Sequence, residues 1–425
     1  MKKFLVWIFV AGYLSVSAQD TLSILQYNLL NYGNYTDYCT SNNNKYTTKD
    51  TYIKTIVQYV KPDIFSVNEV SASHSIQQHL LDYALNTDGV NYFAMAPSLS
   101  SQDDYLVNML YYNTEKLGLA GHVIAQTYIR DVDVYKLYYK SGSLNSGGDT
   151  AFLYCVVAHL KSSTNYEDQR KIMAKNTMDY IASHHPDNNY LLMGDFNLYS
   201  DREPAFQEFV DYSDASIRFS DPANQIGEWH NNADFSMVHT QSTHDGNNGC
   251  AASGGMDDRF DFILMSNNIK NNLKKMQYIS GSYHVVGQDG KHFNTSINAS
   301  PTNTSVPSQV LNALYRNSDH LPVSMKLLVD EPLGVQQLQA SVFNAIHFTN
   351  PVKNMLRLRL EMSASTSYNI EIYSLLGQIR WKKQGMLNRG QHLMEINLST
   401  LSNGVYIIRF VDGSGHSQSR KLLKR

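Results

Sequence analysis

Short apolar runs separated by polar turns dominate the first three quarters of the chain. Residues 23–27 read as an apolar strand. Over residues 51–61, Ile53, Ile56, Val57 and Val60 recur at helical spacing, which predicts a helix that Pro62 stops. Residues 64–67, 152–157, 190–193, 262–265 and 323–329 read as further strands. Ile172, Met173, Tyr180 and Ile181 give an intervening helix its apolar stripe. Strand-like runs without clean alternation predict strands covered on both faces, as in layered α/β proteins.

From about Val342 the pattern changes. Residues 355–360 and 368–373 alternate strictly, residues 405–410 form another strand, and Gly377 marks a turn. A small all-β sandwich over residues 343–425 is predicted, behind a linker at 331–342. At the other end, Lys2 and Lys3 precede an apolar run and the small-residue pattern Val16-Ser17-Ala18. This predicts a secretory signal peptide at residues 1–18, cut before Gln19. Residues 19–330 are then the catalytic candidate.

The 425 residues allow two or three domains, and the 42% that are hydrophobic can fill a core. A net charge of −3 argues against a strongly basic protein bound to nucleic acid or anionic lipid, while leaving room for a local basic groove. The terminal stretch is rich in Lys and Arg, so the catalytic candidate is more acidic than the total. Charged residues make up only 17%, with Asn, Ser, Thr and 29 Tyr in their place. Cys155 lies in an apolar run and reads as a buried hydrophobe. Cys39 and Cys250 lie in polar stretches, and an exported protein can bridge them.

Candidate chemistry sits at strand ends. Asn28, Asn68 with Glu69, His159, Asp195 with Asn197, Asp261, and Asp319 with His320 each border a predicted strand. A single polar residue there is usually a turn residue. Six such sites with types suited to metal binding and proton transfer point to one pocket. Glu69 and Asn28 offer oxygen ligands to a hard divalent ion, with Asp319 as a further candidate. His320 is a candidate base steadied by Asp261. Asp195 and Asn197 can orient water and phosphate, and His159 can meet phosphate charge. Metal-assisted phosphate ester cleavage is the chemistry implied.

The stretches Leu25-Gln26-Tyr27-Asn28, Pro62 to Val70, Ala158-His159-Leu160-Lys161-Ser162, Gly194-Asp195-Phe196-Asn197, Arg259 to Leu264 and Ser318-Asp319-His320-Leu321-Pro322-Val323 resemble the endonuclease/exonuclease/phosphatase superfamily in content and order. The resemblance implies a four-layer α/β/β/α sandwich and a Mg2+ requirement, or Mn2+ or Ca2+ in its place. It assigns Asn28, Glu69 and Asp319 to the metal, and His159, Asp195, Asn197, Asp261 and His320 to catalysis. Tyr105 and Arg130 are the candidates for the family's phosphate-gripping tyrosine and arginine. Asn68 stands where many relatives carry Gln. The last 80 or so residues resemble the sorting domain of type IX secretion cargo, through Asn350-Pro351-Val352, Ile372 to Gly377, Leu401 to Tyr406 and the basic end. That implies the type IX export machinery as a partner and a secreted or outer-surface location.

Two long inserts remain. Residues 198–258 hold His230, His239 and His244, whose spacing fits no helical zinc motif, so they read as surface-loop histidines. Residues 281–317 are rich in Asn, Ser and Thr, and their glycosylation-like triplets read as loop composition. The leading expectation is an extracellular nuclease without a stable protein partner. A sphingomyelinase-like or other phosphate-ester hydrolase is the alternative, and an inactive binding module on the same scaffold is the second.

Overall fold

The computed structural model describes residues 18–331 and 343–425, apart from 101–104, 143, 145–149, 185–186, 375–377 and 414–416. The signal segment, most of the linker and the turn at Gly377 lie outside the described residues. Two compact units divide near residue 333.

The first unit opens with β1 (Ala18–Tyr32), β2 (Ile64–Ser71), β3 (Phe93–Met95) and β4 (Leu106–Asn113). Next come β5 (Leu117–Gln126), β6 (Val132–Tyr139), β7 (Phe152–His159), β8 (Asn189–Asp195), β9 (Phe219–Ser220) and β10 (Asp261–Ser266). These six form one sheet in the order β5-β6-β7-β8-β10-β9. The chain then returns to the first sheet through β11 (Met276–Tyr278), β12 (His284–Val285) and β13 (Val323–Glu331). That sheet runs β11-β13-β1-β2-β4-β3, with β12 beside β13.

Alternation along the central strands shows the layering. On β7, Leu153, Cys155 and Val157 join the core shared with the first sheet. Tyr154, Val156 and Ala158 join the second core, with α3 (Glu167–His184) and α4 (Pro204–Val210). Strand β7 is thus apolar on both faces, as its unbroken run requires. Helices α1 (Tyr46–Val60) and α6 (Ser308–Asn317) bring Ile53, Ile56, Val310 and Leu314 to the first core. The result is the expected α/β/β/α sandwich. The short helices α2 (His74–Leu80) and α5 (Asn267–Lys270) fill its edges.

Three expectations need correction. Helix α1 begins at Tyr46, five residues before the expected start at residue 51, because the extra turn is buried through polar partners. Lys49 Nζ donates to the carbonyls of Leu29 and Leu30 at 2.6 and 2.9 Å, and Asp50 accepts from Tyr32 and His79. On α3, Ile172 faces solvent while Arg170 is buried, its guanidinium 2.7 Å from Glu203. The insert histidines are not all on the surface. His239 is buried between the carbonyls of Trp229 and Met256, and His244 is buried against the Tyr315 ring. His230 alone of the three is exposed, and it sits with Asp257 and Asp258.

Cys39 and Cys250 are disulfide-bonded across 211 residues, tying the first insert to the segment after β1, and Cys155 is buried and free.

The second unit holds β14 (Phe343–Phe348), β15 (Met355–Met362), β16 (Thr366–Ser374), β17 (Ile379–Leu387), β18 (Gly390–Asn397), β19 (Gly404–Asp412) and β20 (Ser417–Lys424). A three-stranded sheet, β14-β15-β18, and a four-stranded sheet, β17-β16-β19-β20, enclose one core. On β15, Leu356, Leu358, Leu360 and Met362 turn inward while their neighbours stay exposed, as the period-two pattern predicts.

Candidate active site

Strand register builds the site. His159 at the end of β7 lies directly opposite Asp195 at the end of β8, and Asp195 lies opposite Asp261 at the start of β10. Three polar residues therefore stand in one row across three neighbouring strands. Two carboxylates facing each other destabilise a sheet pair, so this row is costly to the fold. Gly194 permits the close approach of β8 to β7: its φ is 146°, and a Cβ there would lie 1.7 Å from the Ala158 carbonyl.

The first sheet contributes the other wall. Asn28 pairs with Asn68, after which the β1–β2 register shifts. Leu30, Asn31 and Glu69 all take left-handed backbone, with φ of 45°, 50° and 59°. Such conformations cost on the order of 1–3 kcal/mol each. They turn Glu69 into the cleft, where Asn31 holds Oε2 through its backbone N–H at 3.0 Å and its amide at 3.4 Å. Asn28 Nδ2 donates to Glu69 Oε1 at 3.1 Å and to Asp195 Oδ2 at 2.9 Å. Its Oδ1 accepts from the Leu30 N–H, so Asn28 steers two carboxylates, and serving a cation would need its amide turned over.

His159 Nε2 lies 3.4 Å from Asp195 Oδ2 and 3.9 Å from Glu69 Oε1. Among the described residues, the ligand atoms of Glu69, His159 and Asp195 form a cluster able to hold a metal ion. Burial holds His159 well below the ordinary imidazole pKa, with Arg130, His320 and Lys161 adding to the effect. It is therefore a neutral imidazole, the form that ligates. Burial also pushes Asp195 up to about 7, with Asp261 and Glu69 adding and His320 opposing.

His320 completes the cleft. Its Nδ1 is 2.7 Å from Asp261 Oδ2, and its Nε2 lies 3.8 Å from Asp195 Oδ2 and 4.0 Å from Asp319 Oδ1. Burial opposes charge on this ring, but Asp261, Asp195 and Asp319 outweigh it and lift its pKa well above the ordinary value. Asp319 Oδ2 accepts from the Ala252 N–H at 2.8 Å. Asp319 Oδ1 and Asp261 Oδ1 are buried without a hydrogen-bond partner. Asn197, at φ 51°, gives its backbone N–H to Asp195 and its amide to the Leu160 carbonyl.

One hollow is lined by Glu69, Arg130, His159, Asp195, Asn197, Asp319 and His320. Asn28 and Asp261 hold its walls from behind. Arg130 Nη1 donates to the Leu160 carbonyl at 2.8 Å, which points the guanidinium at the cleft. Tyr105 does not line this hollow; it borders an adjoining one and is 81% exposed.

Three participants escaped sequence reading, and a fourth, Asn68, was named there without this role. Gln241 touches His320 Nε2 at 2.8 Å and Asp319 at 3.3 Å, from inside an insert that carries no pattern. Lys161, two residues after His159, adds with Arg130 to the positive field that disfavours charge on that imidazole. Lys49 pins the backbone beside Asn28. Asn68 bridges the sheets, accepting the Asp195 N–H at 3.0 Å.

Residues 348–425 match the sequence family described as a secretion system C-terminal sorting domain. No curated protein matches the chain. Among solved structures, an endonuclease/exonuclease/phosphatase family protein from Bacteroides thetaiotaomicron is similar at 14% identity and TM-score 0.45, over 74% of this chain and 99% of that one. D. rerio TDP2 complexed with a single-strand DNA product is similar at 14% and 0.45, over 72% and 98%. A Bacteroides thetaiotaomicron mannosyl-6-phosphatase is similar at 13% and 0.44, over 72% and 99%.

Proposed function

We propose that this protein is exported and hydrolyses phosphate esters with the help of a divalent metal ion. One observation carries the reading: a cluster of half-buried Glu69 with buried Asp195 and His159 adjoins an Asp261–His320 pair in a single cleft. The donors suit a hard cation, and the buried Asp319 oxygen without a partner is a further place for positive charge. Mg2+ is the expected ion, with Mn2+ and Ca2+ as alternatives. Glu69 would hold it, with Asp195, His159 and Asp319 in reach. When bound, it would polarise the phosphoryl oxygen and stabilise the departing one.

The protein's own groups supply the rest. Asp261 accepts the Nδ1 proton of His320 and so leaves Nε2 to take a proton from the attacking water. Asp195 orients that water; Asn68 accepts its backbone N–H, and the Asn197 N–H donates to its carboxylate. Arg130, which lines the cleft with His159, meets the charge of one phosphoryl group. The tail's match to a sorting domain supports export, with residues 19–330 as the catalytic part and 343–425 as the export part. The nuclease expected from sequence stays as one substrate arm of the test.

The test is phosphate or product release from DNA, RNA, sphingomyelin and small phosphate esters, each with Mg2+ and with chelator. Undiminished turnover in chelator contradicts the metal-assisted mechanism. A Glu69→Gln variant is expected to lose activity and to need more metal.

A further inference from the structure

The cleft continues into a second hollow that shares Glu69, Arg130 and His159 with the first. Its rim carries Tyr38, Leu99 and Tyr105, which are 58%, 39% and 81% exposed. Both tyrosines stand on anchored backbone. Cys39 beside Tyr38 is disulfide-bonded, and the Tyr38 carbonyl accepts from Asn43 at 2.8 Å. The Tyr105 carbonyl accepts from the Ala72 N–H at 3.0 Å. Among the described residues these two rings are exposed beside one hollow, a platform for a flat or ring-shaped ligand. Asn34 and Asp131 line the same hollow, an amide and a carboxylate suited to hydroxyl groups.

Charge selects among ring-bearing phosphate esters. Residues 19–331 contain 21 Lys and Arg against 34 Asp and Glu, a net charge of −13. Arg130 is the one Lys or Arg among the described residues lining either hollow. Asp131 and Asp133 line the second hollow beside Glu69. A nucleic acid strand brings a charge with every nucleotide and needs a row of cations to meet it. This cleft meets one phosphate and then turns acidic.

We propose that the second hollow binds the sugar ring of a phosphorylated carbohydrate whose single phosphate sits beside His159. This rests on the phosphoester hydrolase reading and names its substrate class. Water adds to phosphorus, the bond from phosphorus to the sugar oxygen breaks, and the sugar departs as an alcohol carrying one proton. The ring faces stack on Tyr38 and Tyr105, while its hydroxyls meet Asn34 and Asp131.

The test is titration calorimetry of the full chain in chelator, with glucose 6-phosphate, mannose 6-phosphate, ethyl phosphate and a short oligothymidylate as probes. A hexose phosphate should bind about tenfold more tightly than ethyl phosphate, and Tyr105→Ala and Tyr38→Ala should each remove most of that margin. Equal binding of ethyl phosphate, or tighter binding of the oligonucleotide, overturns the sugar site. Phosphate release with Mg2+ is scored separately. Turnover without the binding preference overturns the sugar site alone. The preference without turnover supports the sugar site and overturns the hydrolase reading.

Discussion

The two units treat polar residues in opposite ways. On β15 of the C-terminal unit, sequence position decides burial, and inward leucines alternate with exposed Arg357, Arg359 and Glu361. The buried polar residues of that unit, Glu371, Asp412 and Lys424, sit on three different strands. In the N-terminal unit, Asn28, Asn68, His159, Asp195, Asp261, Asp319 and His320 are all buried, and all lie at one end of the two sheets. Burying a polar group costs free energy unless its partners are in place. Here two carboxylate oxygens lack partners and several backbones are strained. This unit also buries polar residues outside the cleft, such as Asp63, Arg170 and Asn303, so what supports the proposed site is the convergence of titratable side chains on one hollow.

The largest expected effect tests that contrast at His320. His320→Ala should lower kcat about 10²–10⁴-fold in the phosphate-release assay. A loss below threefold would make the cluster structural. Next in size is the tie between the insert and the cleft. Replacing both Cys39 and Cys250 by Ser should cost about 2–5 kcal/mol in denaturant unfolding of the N-terminal unit. It should also weaken metal dependence, because the disulfide-anchored insert supplies the Ala252 N–H that holds Asp319.

A smaller effect appears in pH dependence. The base form of His320 exists above its pKa, which the surrounding carboxylates raise. Activity should therefore rise with pH along a limb above the ordinary histidine value. Asp261→Asn removes one of those charges, lowers the pKa, and should move the limb to lower pH by on the order of one unit. A limb that stays in place would separate Asp261 from the titration. The smallest effect belongs to the other unit. Arg357 and Glu395 form an exposed pair at 2.8 Å, and breaking it with Arg357→Ala should change stability by less than about 1 kcal/mol, read by thermal unfolding.

Much of this was legible in the chain itself. Six strands of the first unit, helices α1 and α3 and three strands of the tail followed from runs and alternation, because burial on one or two faces leaves a direct trace in residue order; α6 did not, lying in an insert read as loop. Most candidate site residues lie together because each borders a strand, and strand ends at one edge of packed sheets converge. Tyr105 is the exception; it belongs to the adjoining hollow. The first turn of α1 was illegible because Lys49 and Asp50 are buried by hydrogen bonds rather than by apolar area. Gln241 was illegible for a similar reason: its role depends on an insert whose path is set by a distant disulfide. His239 and His244 looked like surface residues because their partners, backbone carbonyls and an aromatic ring, come from remote segments.

The most direct test of a metal-assisted cleft built around Glu69 is a metal titration of phosphate release, comparing the full chain with Glu69→Gln. The expected result is no turnover in chelator, recovery as Mg2+ is added back, and a variant whose recovery needs much higher metal and stays incomplete. Full turnover in chelator, or a Glu69→Gln curve that overlays the parent, would contradict it.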